Sequence, residues 1–103
     1  MEAIIDLGKV TPIHILAGRF LHYRKQSVAF PSMVHFYISK DNKKFKKVHS
    51  IPMEASTNDR FDCWIDIAVT ENIESYARYI KIEADNRDNN KILCDEIFVN
   101  PQW

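Results

Sequence analysis

The chain has 103 residues, with 14 Lys and Arg against 14 Asp and Glu, two glycines, four prolines and two cysteines. That length suits one domain, and 46% hydrophobic residues are enough to build its core. A formal net charge of zero leaves no overall basic excess for gripping nucleic acid through its phosphates, and no apolar run is long enough for a membrane span.

Hydrophobic periodicity predicts strands almost throughout. Ala3 to Leu7 is short and apolar and ends at the turn signals Gly8-Lys9 and Pro12; Ile13 to Phe20 follows it. In Met33 to Ser39, Val34, Phe36 and Ile38 share one face, while His35 and Tyr37 share the other. A turn at Asp41-Asn42-Lys43 leads into Phe45 to Ile51, and the basic run Lys40 to Lys47 around it reads as a solvated hairpin tip. Over Phe61 to Val69 the alternation points Cys63, Ile65, Ile67 and Val69 inward and Asp62, Trp64, Asp66 and Ala68 outward. Glu71 to Tyr76 is compatible with helix but too short to stand alone. Ala77 to Asp85 places Ile80, Ile82 and Ala84 inward, and the polar stretch Asn86 to Asn90 separates it from Ile92 to Val99. Seven short strands joined by turns predict an all-β antiparallel sandwich of jelly-roll type.

Catalytic templates fail. There is no G-x-S-x-G, H-E-x-x-H or glycine-rich phosphate loop, and His14, His22, His35 and His49 are scattered. Adjacent Asp95 and Glu96 are expected on opposite faces of a strand, which rules them out as an acid/base pair. Cys63 and Cys94 have no metal-knuckle spacing. By parity Cys63 reads as a buried thiol, with a disulfide possible only between neighbouring strands.

Four segments in order, Ile5-Asp6-Leu7-Gly8-Lys9-Val10, Tyr37-Ile38-Ser39-Lys40-Asp41-Asn42-Lys43-Lys44-Phe45, Ala77-Arg78-Tyr79-Ile80-Lys81-Ile82 and Asp95-Glu96-Ile97-Phe98-Val99, resemble the discoidin-like domain. This family is also called the coagulation factor V/VIII type C domain and includes carbohydrate-binding modules of family 32. Gly18 to Gln26, continuing through Phe30-Pro31, resembles the version found beside bacterial chitobiase or hexosaminidase-like catalytic domains. The family usually has Gly at the position of Asn42, and Asn tolerates the positive φ required there.

The resemblance implies a galactose-binding-like sandwich over residues 1–103. It implies a non-catalytic, monomeric accessory module whose partner is a glycan or an adjacent catalytic domain, with neither nucleic acid nor membrane insertion. A protein of that kind is expected to be secreted, periplasmic or on the cell surface. The sugar site falls on end loops, with His22, Tyr23, Arg24, Asn86 and Arg87 supplying a ring for the pyranose face and planar polar groups for its hydroxyls. Tyr23 packing on its own loop is the competing expectation. Family members often hold calcium with the carboxylate matched by Glu96; the segment that precedes the Asp-Leu-Gly strand in the family, and contributes to that site, is expected to be missing. Trp64 is expected to pack under such a segment or against a neighbouring domain, and Trp103 either to be disordered or to cap the sandwich. The alternative function is a structural or protein-interaction sandwich with no sugar binding.

Overall fold

A computed structural model describes residues 1–23, 26–54 and 63–102. Seven strands follow in order: β1 (Glu2–Ile13), β2 (Leu16–Tyr23), β3 (Met33–Ser39), β4 (Lys46–Pro52), β5 (Cys63–Thr70), β6 (Ser75–Asp85) and β7 (Leu93–Val99). They form a four-stranded sheet, β1-β6-β3-β4, and a three-stranded sheet, β5-β2-β7, with antiparallel pairing throughout. The core lies between the sheets. Val34, Phe36 and Ile38 of β3 and Ile80, Ile82 and Ala84 of β6 meet Leu16 and Phe20 of β2, all buried as their alternation predicts. Gly18 lies under the Ile82 side chain of the facing sheet: a Cβ there would lie 2.8 Å from Ile82 Cδ1 and 3.1 Å from Phe20 Cε2.

Local chemistry sets the turns. In the Asp-Leu-Gly segment Gly8 takes φ +86° and donates its amide to Asp6 Oδ1 at 2.8 Å, inside an irregularity of the β1–β6 ladder. At the β3–β4 hairpin, Asp41 Oδ1 accepts the amides of Lys43 and Lys44, both at 2.9 Å, and Asn42 takes φ +62°.

Besides the first strand, which runs on past Gly8-Lys9 and Pro12 to Ile13 instead of ending there, four expectations change. First, the apolar run Ile13 to Phe20 is broken at His14-Ile15, where the chain crosses from one sheet to the other. Asn100 clips this corner: Oδ1 accepts the amides of His14 (2.7 Å) and Ile15 (3.1 Å), and Nδ2 donates to the Pro12 carbonyl (2.8 Å). Second, Glu71 to Tyr76 contains no helix; Ile73 is buried, its amide bonds the His14 carbonyl, and β6 already begins at Ser75.

Third, β5 faces the other way. Ala68 and Thr70 are buried, while Cys63, Ile65 and Ile67 are exposed. Register with β2 sets Ala68 beside Gly18, where the Ile82 side chain already fills the space a Cβ would take, and Thr70 beside Leu16, with Thr70 Oγ1 bonded to His49 Nδ1 of β4 at 3.1 Å. Small and hydroxyl residues fit there, and the β-branched residues turn outward. The result is an apolar outer row, Ile65–Leu21–Leu93, across the three-stranded sheet. Cys63 is accordingly exposed rather than buried, and both cysteines are free. They lie on β5 and β7 with β2 between them, two strand spacings or about 9–10 Å apart, too far for a disulfide.

Fourth, Asp95 and Glu96 converge on the same group. The β2–β7 register pairs Arg19 with Glu96 and Phe20 with Cys94, leaving Asp95 as an extra residue. Two residues opposing one is the pattern of a β-bulge, which re-aims side chains.

Candidate functional site

Two loops meet at one end of the sandwich. The first is closed by Tyr23 and Val28, which exchange backbone hydrogen bonds of 2.8 and 3.1 Å; Val28 then bridges to Lys91, whose carbonyl accepts the Ala29 amide at 3.0 Å. The second loop, Asn86 to Asn90, is closed by Asn86 Nδ2 on the Asn90 carbonyl (2.9 Å) and by Asn90 Nδ2 on the Arg87 carbonyl (3.2 Å). Segments more than sixty positions apart in sequence are thus zipped into one rim, and His22, Tyr23, Asn86 and Arg87 all belong to it. Arg24 lies outside the described residues.

Their roles differ. Arg87 reaches across the rim and donates from Nε to the Phe30 carbonyl (3.3 Å) and from Nη2 to the carbonyls of Pro31 (3.3 Å) and Met53. It is a clamp on the backbone, with two of its three nitrogens committed. His22 packs its ring against Phe30, with centroids 5.7 Å apart, and its buried Nδ1 has no hydrogen-bond partner among the described residues. Trp64 of β5, paired with His22 of β2, lies on the same side of the sheet as His22 and Phe20 and is 39% exposed. The sequence parity pointed Trp64 outward; the register with β2 brings it to the rim instead.

Glu96 does not join that rim. With Asp95 it flanks Arg19, whose Nε and Nη2 hold the Asp95 carboxylate at 2.7–3.1 Å and whose Nη2 lies 3.3 Å from Glu96. The guanidinium keeps Asp95 below the usual carboxylate range, and Asp95 in turn raises Arg19. Calcium requires six to eight oxygens, and this pair of carboxylates already has its cation. The donor set does not fit calcium, and among the described residues no three His, Cys, Asp or Glu side chains gather as a metal ion requires.

One catalytic-looking chain was not visible in the sequence. His35 Nδ1 is 2.7 Å from Ser50 Oγ, and His35 Nε2 is 2.9 Å from Asp85 Oδ2. The residue types are those of a nucleophile relay. Its members, however, are cross-strand neighbours on the outer face of the four-stranded sheet, where His35 pairs with Ser50 and Met33 with Asp85. The clefts found among the described residues lie elsewhere. In that position the relay ties β4, β3 and β6 together.

The sequence matches no protein-family model and no curated protein. Its fold, however, matches solved structures. One is CpGH89CBM32-5 from Clostridium perfringens, in complex with GalNAc-β-1,3-galactose (TM-score 0.69, 14% identity, 95% of this chain and 63% of that one). Another is CBM32-1 from a family 31 glycoside hydrolase of Clostridium perfringens (TM-score 0.63, 20% identity, 95% and 67%). A third is the C-terminal domain of a chitobiase from Bacteroides fragilis (TM-score 0.59, 22% identity, 96% and 61%). The chain therefore spans somewhat under two thirds to two thirds of the length of these structures. Its two antiparallel sheets, packed as a sandwich, therefore have the fold of these solved structures, two of them carbohydrate-binding modules and one a chitobiase C-terminal domain.

Proposed function

We propose that this chain is a non-catalytic carbohydrate-binding module, the accessory part of a glycan-processing protein of the chitobiase or hexosaminidase kind that works in a secreted, periplasmic or surface setting. The observation that carries this reading is the rim itself: two loops locked together by the Val28–Lys91 bridge, with half-exposed Trp64 beside His22. A pyranose needs an aromatic face for its C–H patch and fixed polar groups for its hydroxyls. Trp64 and Tyr23 supply rings; His22, Asn86 and Arg24 supply polar groups; Arg87 positions the rim from behind. The solved neighbour in complex with GalNAc-β-1,3-galactose makes a terminal galactose or N-acetylhexosamine the first ligand to try. A shallow single site of this kind binds weakly and gains from tethering to an enzyme.

The experiment is a titration of the isotope-labelled chain with galactose- and N-acetylhexosamine-terminated glycans, followed by NMR. Shifts confined to residues 22–25, 64 and 86–90 support the reading. A second reading, a protein-interaction sandwich with no sugar binding, draws on the exposed apolar row Ile65–Leu21–Leu93. Flat spectra with every glycan would favour it.

A further inference from the structure

The opposite end of the sandwich carries a cleft of about 510 Å³, with buried Ile38 as part of its lining. The hairpin between β3 and β4 contributes Lys40, Lys44 and Lys46, and the start of β6 contributes Glu74 and Tyr76. In sequence this basic run reads as a solvated tip; in three dimensions it shares a cleft with an aromatic residue.

The charge balance is what singles the cleft out. The side chains of Lys40, Lys44 and Lys46 form no ion pair among the described residues. Asp41, the nearest carboxylate, is turned into its own hairpin, where it accepts the Lys43 and Lys44 amides and the Ser39 hydroxyl (3.1 Å). Lys40, Lys44 and Lys46 outnumber Asp41 and Glu74, the carboxylates that also line the cleft, and this local excess of positive charge attracts an anion. Tyr76, also in the lining, is 60% exposed, the most exposed of the large apolar side chains among the described residues, and brings an aromatic ring to the cleft. Glu74 beside it is exposed, a carboxylate that accepts hydroxyl hydrogen bonds and repels a polymer charged along its whole length. A volume of that order holds a small ligand rather than a duplex.

We propose that this cleft is a second binding site, for an acidic saccharide: a pyranose bearing a sulfate or carboxylate, with the anion among Lys40, Lys44 and Lys46, the sugar face on Tyr76 and a hydroxyl on Glu74. It is independent of the rim at the other end and stands whether or not that rim binds neutral glycans.

The test is an NMR titration of the full chain with galactose 6-sulfate, galacturonic acid, galactose and sodium sulfate. Shifts at residues 39–46 and 74–76 with either acidic sugar, absent with galactose, support the proposal, and the better of the two acids identifies the anion. Sodium sulfate is expected to move the lysine amides but not Tyr76. The double variant Lys44→Gln, Lys46→Gln and the single variant Tyr76→Ala should each weaken binding by about tenfold, as expected for loss of charge-assisted bonds or of a stacking face. All three residues are exposed, so amide dispersion should remain native. No shift at Tyr76 with either acid, or equal shifts with galactose, overturns the proposal; so does sodium sulfate reproducing the full pattern, since that describes an adventitious ion only.

Discussion

Arg78 grips Asp6 with both ends of its fork, Nε to Oδ1 at 2.8 Å and Nη2 to Oδ2 at 3.0 Å. The contact joins β1 to β6 and links two sequence segments that carry the family resemblance, the Asp-Leu-Gly turn and Ala77 to Ile82. The Arg78 hydrogen bonds, then the Gly8 amide, hold the Asp6 carboxyl below its ordinary value. The backbone amides of Lys44 and Lys43 lower Asp41 to about 2, and Arg19 lowers Asp95.

A pH dependence follows from these three carboxylates. Each binds protons less readily folded than unfolded, so its contribution to stability is complete above the unfolded value, about 4, and is lost as pH falls through the folded value. Urea midpoints should therefore hold steady from pH 7 to about 5 and drop between about 4 and 2. Asp41→Asn should be less stable than the parent at pH 7 and lose less on acidification. Parallel curves for parent and variant would remove Asp41 from the account.

Gly18 gives a packing prediction. Any side chain there starts with its Cβ 2.8 Å from Ile82 Cδ1, so Gly18→Val must push the sheets apart or force Ile82 and Phe20 off their rotamers. The expected cost is about 1–3 kcal/mol, read as a lower thermal midpoint. Gly8→Ala tests a different property: its surroundings are open, and the cost comes from φ +86° alone.

These residues also show where sequence reading stops. The strands were legible in outline because Met33 to Ser39 and Ala77 to Asp85 alternate against the core, the other apolar runs are short, and the turns carry Asn, Asp or Gly. The orientation of β5 was not, because Ile65 and Ile67 outrank Ala68 and Thr70 on any hydrophobic scale; only the lack of space beside Gly18 reverses the order, and that is a property of pairing with β2. The Asp95 bulge and the Asn100 clip were hidden for the same reason: each depends on partners more than seventy positions away. At the candidate site both loops were recognisable, yet Arg87 as a clamp and Trp64 as a rim aromatic required the register.

Asn100→Ala should open the corner between β1 and β2. The amides of His14 and Ile15 lose their acceptor and the Pro12 carbonyl loses a donor, at a cost of about 1 kcal/mol, since only the Ile15 bond is part-buried and the other two are open to water. Hydrogen exchange at residues 14 and 15 should accelerate by more than the global loss of stability accounts for. Exchange that rises only with global unfolding would show that the corner is held by the Asn100 amide bond to the Ile15 carbonyl, which the substitution preserves.

Arg87 and Trp64 separate support from contact at the rim. Arg87→Ala leaves the carbonyls of Phe30, Pro31 and Met53 without their shared donor, so it should lower stability by about 1–3 kcal/mol and loosen both loops, weakening any glycan bound there. Arg87→Lys keeps the charge but not the fork, and should recover little of either. Trp64→Ala removes a half-exposed ring beside His22 and should reduce glycan affinity by about tenfold, with a smaller effect on the thermal midpoint than Arg87→Ala. The distinction is read by measuring both quantities on all three variants. If Trp64→Ala leaves glycan shifts intact while Arg87→Ala abolishes them at a temperature where it is fully folded, the guanidinium itself touches the sugar and the clamp assignment is wrong.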